Sequence, residues 1–178
     1  MLYALTTEEL MQRPDLWEAV HHVVIRNGEL AGYQRMLPTT RPHLLTEVLT
    51  DLYVGEPPSG PNVYELTRYA VAPGFRDGRR GVSTVGTELI AGFVEWGLPR
   101  GVDQVIIEFE PMWVLRALQL HFLARPLGYQ RTYGRQQVVA TLLTFNEHTL
   151  EVVRGRRAHH APVLSRGYPD ILGQRQAS

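Results

Sequence analysis

The sequence predicts a mixed α/β domain whose central sheet carries helices on its faces. Strand-like and helix-like segments follow one another in the order hairpin, strand, helix, strand, helix, strand. The 178 residues suit one domain with its own core. No GxGxxG follows a first strand, which argues against a dinucleotide fold, and the order is not that of a barrel.

The opening segment, "AVHHVVIRNGELAGYQRML", holds two strand-like runs around Asn27-Gly28, the favoured pair for a tight hairpin turn. Pro38 and Pro42 break the second run. "TEVLTDLYV" predicts a short helix and "GEPPSGP" a loop. "NVYELTRYAV" reads as a strand, and "PGFRDGRRG" as a loop. Ser83 or Thr84 caps the best helix, where Val85, Leu89, Phe93 and Trp96 fall at helical spacing before Gly97 and Pro99 stop it. "VDQVIIEFE" is a buried strand rich in β-branched residues. Pro111 suits the first turn of a further helix, with Val114, Leu118 and Phe122 on one face. "QQVVATLLTF" is the last strand, and "NEHTLEVVRG" a short helix capped by Asn146. Residues 1–155 are thus read as one domain, and 156–178 as a basic, loosely ordered tail.

Composition narrows the chemistry. Eighteen basic and eighteen acidic residues balance, so no nucleic acid or other polyanion is expected as a partner. Every basic residue is Arg; without Lys there is neither Schiff-base chemistry nor a P-loop lysine. The absence of Cys excludes disulfides, Cys-ligated zinc and an acyl-cysteine intermediate. No apolar run reaches the roughly 18 residues of a membrane span, and the first residues lack a signal peptide's regions, so a soluble cytoplasmic protein is expected. His21-His22 lies on a strand, where the two rings face opposite ways. Neither it nor His159-His160 has a carboxylate spaced to complete a metal site, and no metal is expected.

The strand at 62–71 is the informative one. Glu65 and Arg68 would point to opposite faces of a regular strand, and burying either alone costs several kcal/mol. A β-bulge between them would bring both to one face and splay the neighbouring strand, opening a slot for a ligand. The plainer alternative is a solvated pair on an exposed face.

"GYQRMLPTTRPHLL", followed by "YELTRYAV", resembles the signature of the acyl-homoserine-lactone synthase (autoinducer synthase) family. Downstream, "QVIIEFEPMWVLRAL", "ARPLGY" and "VVATLLTFNEHTLEVV" look like the members that use branched or aromatic acyl-coenzyme A rather than acyl-carrier protein. The resemblance covers about residues 19 to 155. It implies the N-acetyltransferase-like fold, in which a bulged central strand parts from its neighbour and admits the pantetheine arm. It also implies the activity. The amine of S-adenosylmethionine attacks an acyl thioester, and the methionyl carboxylate then closes a lactone and expels methylthioadenosine. Both groups are substrates, and no cofactor is expected.

By position in that resemblance, Glu65 would help deprotonate the attacking amine, directly or through water. Arg68 would bind the S-adenosylmethionine carboxylate or brace Glu65 with its planar fork. Arg35 would serve the same polar site. Tyr69, Met112 and Trp113 align with the acyl pocket, against a plain core reading for the last two. Glu108 and Glu110 either orient the substrate amine or face solvent. The Arg76–Arg80 loop either meets coenzyme A phosphates or an acidic carrier protein, or is simply solvated.

The pattern departs from the family before the hairpin, where members carry a helical lid with an Asp-x-x-Asp pair. Here Asp15 matches the second Asp, Gln12 replaces the first, and Trp17 matches a family Trp only loosely. A shortened lid is therefore expected. Two rival readings follow, an acyltransferase for another small amine and an inactive ligand-binding relative.

Overall fold

The computed structural model describes residues 19–76, 82–157 and 161–164. Seven strands among them form one sheet in the order β1-β2-β3-β4-β7-β5, with β6 paired to β7. Strands β1 (Val20–Arg26) and β2 (Glu29–Pro38) make the expected hairpin. Its turn places Asn27 and Gly28 at φ 52° and 81°, the left-handed conformations that this residue pair adopts readily.

One turn of helix, α1 (Leu44–Glu47), follows, starting before and ending well short of the predicted helix across 46–54. The reason is tertiary: the acceptor for its first N–H groups lies on β3, so the helix begins where that acceptor is. Strand β3 (Val63–Val71) comes next, then α2 (Thr84–Gly97), whose cap is Ser83 accepting from the Gly86 N–H. Strand β4 (Gln104–Phe109) and α3 (Met112–Gln119) match the sequence reading up to residue 119. The expected apolar face on α3 does not hold. His121 turns the chain at φ 60°, so Phe122 leaves the helix and enters the core at 3% exposure, while Leu118 stays exposed.

Two strands had no counterpart in the sequence reading. They are β5 (Leu123–Pro126) and β6 (Arg131–Tyr133), which pair antiparallel to β7 (Gln136–Thr144). Both are short and largely exposed, so they carry no apolar alternation. The last helix, α4 (Glu147–Gly155), is capped by Asn146 as expected.

Two apolar cores sandwich the sheet. Beneath α2 and α4, Phe93, Phe122 and Phe145 cluster with ring centroids 5.5 to 6.1 Å apart, backed by Met36, Leu66, Val105 and Leu143. On the α1 side, Leu45, Leu52, Val63, Ile106 and Leu142 form the second. Each such side chain contributes about 1.5–3 kcal/mol on burial, so the sheet is held from both faces. No helix among the described residues is long and apolar enough to cross a membrane.

Candidate active site

Strand β3 is irregular where the sequence is irregular. On β2, Arg35 pairs with Arg68 but Met36 pairs with Leu66, so Thr67 is the extra residue of a bulge. Arg35 and Leu37 are two apart on β2 and share a face; their partners, Arg68 and Glu65, therefore share it too. The bulge is tied down where it forms. Arg35 Nε donates to Thr67 Oγ1 at 2.9 Å, and that hydroxyl donates back to the Arg35 carbonyl at 3.4 Å.

The other side of β3 parts from its neighbour. Strand β4 runs parallel to it and pairs only at Val63–Gln104, Tyr64–Val105 and Glu65–Ile106. Beyond that point a cavity of about 360 Å³ opens between the strands. Leu66, Arg68 and Tyr69 line it from β3, Ile107, Glu108 and Phe109 from β4, and Trp113 and Arg116 from α3, and Phe93 and Phe122 line it too. Bulge and splay are the features that the N-acetyltransferase-like fold implied, and both are present.

Glu65 sits at the last paired position, fully buried. Its Oε1 accepts from the Leu45 N–H at 2.7 Å and lies 3.0 Å from His43 Nδ1, and its Oε2 accepts from the Leu44 N–H at 2.8 Å. The charge is held by the first turn of α1 and by His43, not by Arg68. Sequence reasoning gave His43 no role. The only local trace is its place just before the first turn of α1, while the contact spans 22 positions.

Glu108 is the second carboxyl of the site. Its Oε1 is buried with no hydrogen-bond partner among the described residues, so this residue does not simply face solvent. Burial, reinforced by the neighbouring Glu65 carboxylate and by a hydrogen bond between the two side chains, pushes its carboxyl up to about 8. An unpartnered buried carboxyl oxygen costs about 1–3 kcal/mol, a burden that folding alone does not explain.

The remaining predicted residues fall at different distances from this centre. Arg68 is exposed and lines the cavity, and Arg35 is half-buried beside the bulge. Tyr69 lines the cavity from the opposite face of β3 and reaches toward α2; a Cβ at Gly86 would meet its hydroxyl at 2.5 Å, so any larger residue there would push the Tyr69 ring aside. Trp113 lines the cavity, but Met112, 60% exposed, borders a separate shallow concavity with Glu110, Thr132 and Arg135. Asp15, Gln12, Trp17, His159-His160 and most of the Arg76–Arg80 loop lie outside the described residues. On β1, His21 is exposed against the Tyr33 hydroxyl while His22 is buried against Gln34, so their rings do face opposite ways.

Comparison with known proteins agrees with this geometry. Residues 7–153 match the autoinducer synthase family. The chain is 29% identical over 157 residues to the isovaleryl-homoserine lactone synthase of Bradyrhizobium diazoefficiens, covering 83% of this chain and 69% of that protein. It is 31% identical over 148 residues to an acyl-homoserine-lactone synthase of Ralstonia solanacearum, covering 79% of this chain and 72% of that one. Among solved structures it resembles a coenzyme A-dependent acyl-homoserine lactone synthase, BjaI, seen with S-adenosylmethionine and isopentyl-coenzyme A. The TM-score is 0.73 at 27% identity, over 82% of this chain and 67% of the other. It also resembles another coenzyme A-dependent synthase, MesI, with a TM-score of 0.74 at 26% identity, over 84% and 74% of the two chains.

Proposed function

The chain belongs to the autoinducer synthase family, and we propose that it makes an acyl-homoserine lactone from S-adenosylmethionine and a branched or aryl acyl-coenzyme A. It is an acyltransferase by that membership. The observation that carries the substrate assignment is the bulge at Thr67, which turns Glu65 and Arg68 to one face beside the opening between β3 and β4. A thioester entering this opening lays its acyl group against Phe93, Phe122 and Trp113, and the short apolar cavity suits a compact chain. The S-adenosylmethionine carboxylate binds Arg68, with Arg35 and Asp15 serving the same substrate.

In this reading the amine of S-adenosylmethionine forms a bond to the thioester carbon, and the carbon–sulfur bond breaks to release coenzyme A. The methionyl carboxylate then attacks the side-chain γ-carbon, closing the lactone and expelling methylthioadenosine. Glu65 supplies the negative charge that favours loss of the amine's proton, and backbone N–H groups at the bulge stabilise the oxyanion. Both reactants are substrates, no cofactor is invoked, and acyl-carrier protein is the competing acyl donor. We place the reaction in the cytoplasm and assign it to residues 1–155 as one domain.

The test is to incubate the protein with isovaleryl-coenzyme A and S-adenosylmethionine and to follow free thiol and methylthioadenosine. Release of both in equal amounts supports lactone formation. Thiol without methylthioadenosine means that another amine is the acceptor, and neither product means that the chain binds without turning over.

A further inference from the structure

Resting on the reading above, we propose that Glu108 is the group that takes the proton from the attacking ammonium, with Glu65 as the fixed charge behind it. The geometry separates the two roles. Glu65 is fully buried, and both its oxygens are already held by His43, Leu44 and Leu45. Glu108 projects from β4 into the same opening, and one of its oxygens has no partner among the described residues. It lines the cavity together with Arg68, the residue read as gripping the methionyl carboxylate. An amine anchored through that carboxylate is a few bonds from its anchor, inside a cavity that Glu108 lines and Glu65 does not.

The chemistry of the pair fits the task. An α-ammonium titrates near 8, about four units above an ordinary glutamate, which would leave the proton on nitrogen. A carboxyl at about 8 exchanges that proton without penalty. The charged groups set around Glu108 are Glu65 and Arg68 on β3 and Arg116 on α3; its pairing partner on β7 is the uncharged Ala140. The proton count closes. Ionised Glu108 takes one proton from the ammonium, and the free amine attacks the thioester carbon. The new carbon–nitrogen bond leaves a second proton on nitrogen, which goes to the departing thiolate. Glu108 returns its own proton to solvent.

The experiment compares wild type with Glu108→Gln for thiol release from isovaleryl-coenzyme A with S-adenosylmethionine, from pH 6.5 to 9.5. Wild-type kcat/KM is expected to rise with pH through about 8. Glu108→Gln is expected to lose up to about 10-fold at pH 7, where about a tenth of an α-amine titrating near 8 is already free, and the deficit should shrink at high pH, where solvent supplies free amine. KM for the thioester should stay within about threefold, since uniform binding is untouched. A deficit independent of pH, no deficit, or a wild-type rate that falls through the same range would overturn the assignment; the last would make Glu108 a neutral donor to the carbonyl. Should Glu108→Gln not fold, Glu108→Asp takes its place. A lowered plateau with the rising limb kept supports the proposal, and an unchanged plateau overturns it. If wild type turns over with another α-amine but not S-adenosylmethionine, the acceptor assignment falls and the same comparison on that amine decides Glu108. No turnover with any amine overturns both.

Discussion

Two clusters of buried polar side chains sit on this sheet, and they do different things. Between β1, β2 and α2, Gln34 donates to the Leu89 carbonyl at 2.8 Å and lies 3.1 Å from His22 Nδ1. His22 stacks edge-on to Trp96 at 6.1 Å, and burial, with His21 and Arg100 nearby, pushes it down to about 4. Its members stay neutral and are wedged among side chains. Between β3, β4 and α1, two carboxyls are set together instead, one held by a helix turn and one left facing a cavity. Among the described residues the first cluster leaves two buried polar atoms unpartnered, His22 Nε2 and Gln34 Oε1, and the second leaves one, Glu108 Oε1. The difference is that only the second combines like charges with empty space, and that combination makes chemistry.

The largest test of this contrast removes the anchor of each. Glu65→Ala strips the acceptor from two N–H groups and from His43, so stability should fall by about 3–5 kcal/mol and activity should vanish. Gln34→Ala should cost only about 1–3 kcal/mol and leave kcat unchanged. Chemical denaturation and thiol release read the two effects. Next in size is Arg68→Ala. Loss of a charged hydrogen bond, about 1.5–3 kcal/mol, should raise KM for S-adenosylmethionine roughly 10–150-fold. Stability should change by less than about 0.5 kcal/mol, because the side chain is exposed.

The clusters also respond to pH in opposite senses. His22 binds its proton less readily folded than unfolded, so its contribution is complete above about 6.5 and is lost as pH falls toward 4. Glu108 keeps its proton in the folded state after the unfolded chain has released it. Its contribution is therefore complete below about 4.5 and is lost as pH rises toward 8. Each contributes at most about 1.4 kcal/mol per pH unit inside its window. Melting scans should show Glu108→Gln flattening the alkaline loss alone, and His22→Gln the acidic loss alone. The smallest effect concerns the acyl end. Trp113→Ala should shift preference toward longer acyl groups by about 10-fold, the value of one or two methylenes, while Met112→Ala stays within about twofold. Competition between isovaleryl- and octanoyl-coenzyme A measures both.

Much of this was legible in the chain. Asn27-Gly28 set the hairpin because only a few residue pairs accept two left-handed conformations, and Ser83 and Asn146 announced their helices by side-chain chemistry. The spacing of Glu65 and Arg68 in an apolar strand left two readings, a bulge or a solvated pair, and the sheet has a bulge at Thr67. The overlooked β5 and β6 have no such signal, since short exposed strands take their pairing from β7 rather than from their own pattern. Likewise α1 is placed by an acceptor on another strand, and Phe122 leaves its helix because the core offers it a place.

By itself the sequence determined the hairpin, the two side-chain caps and the main strands and helices, and it raised the bulge as one of two readings, because each is a matter of local dihedrals, local hydrogen bonds or side-chain alternation. Tertiary structure alone decided that His43 holds Glu65, that Glu108 stands beside it, and that the strands part just beyond the pair. Those facts depend on the register of a parallel pairing between residues some forty positions apart, and on burial that raises a carboxyl's proton affinity only once the chain has closed around it.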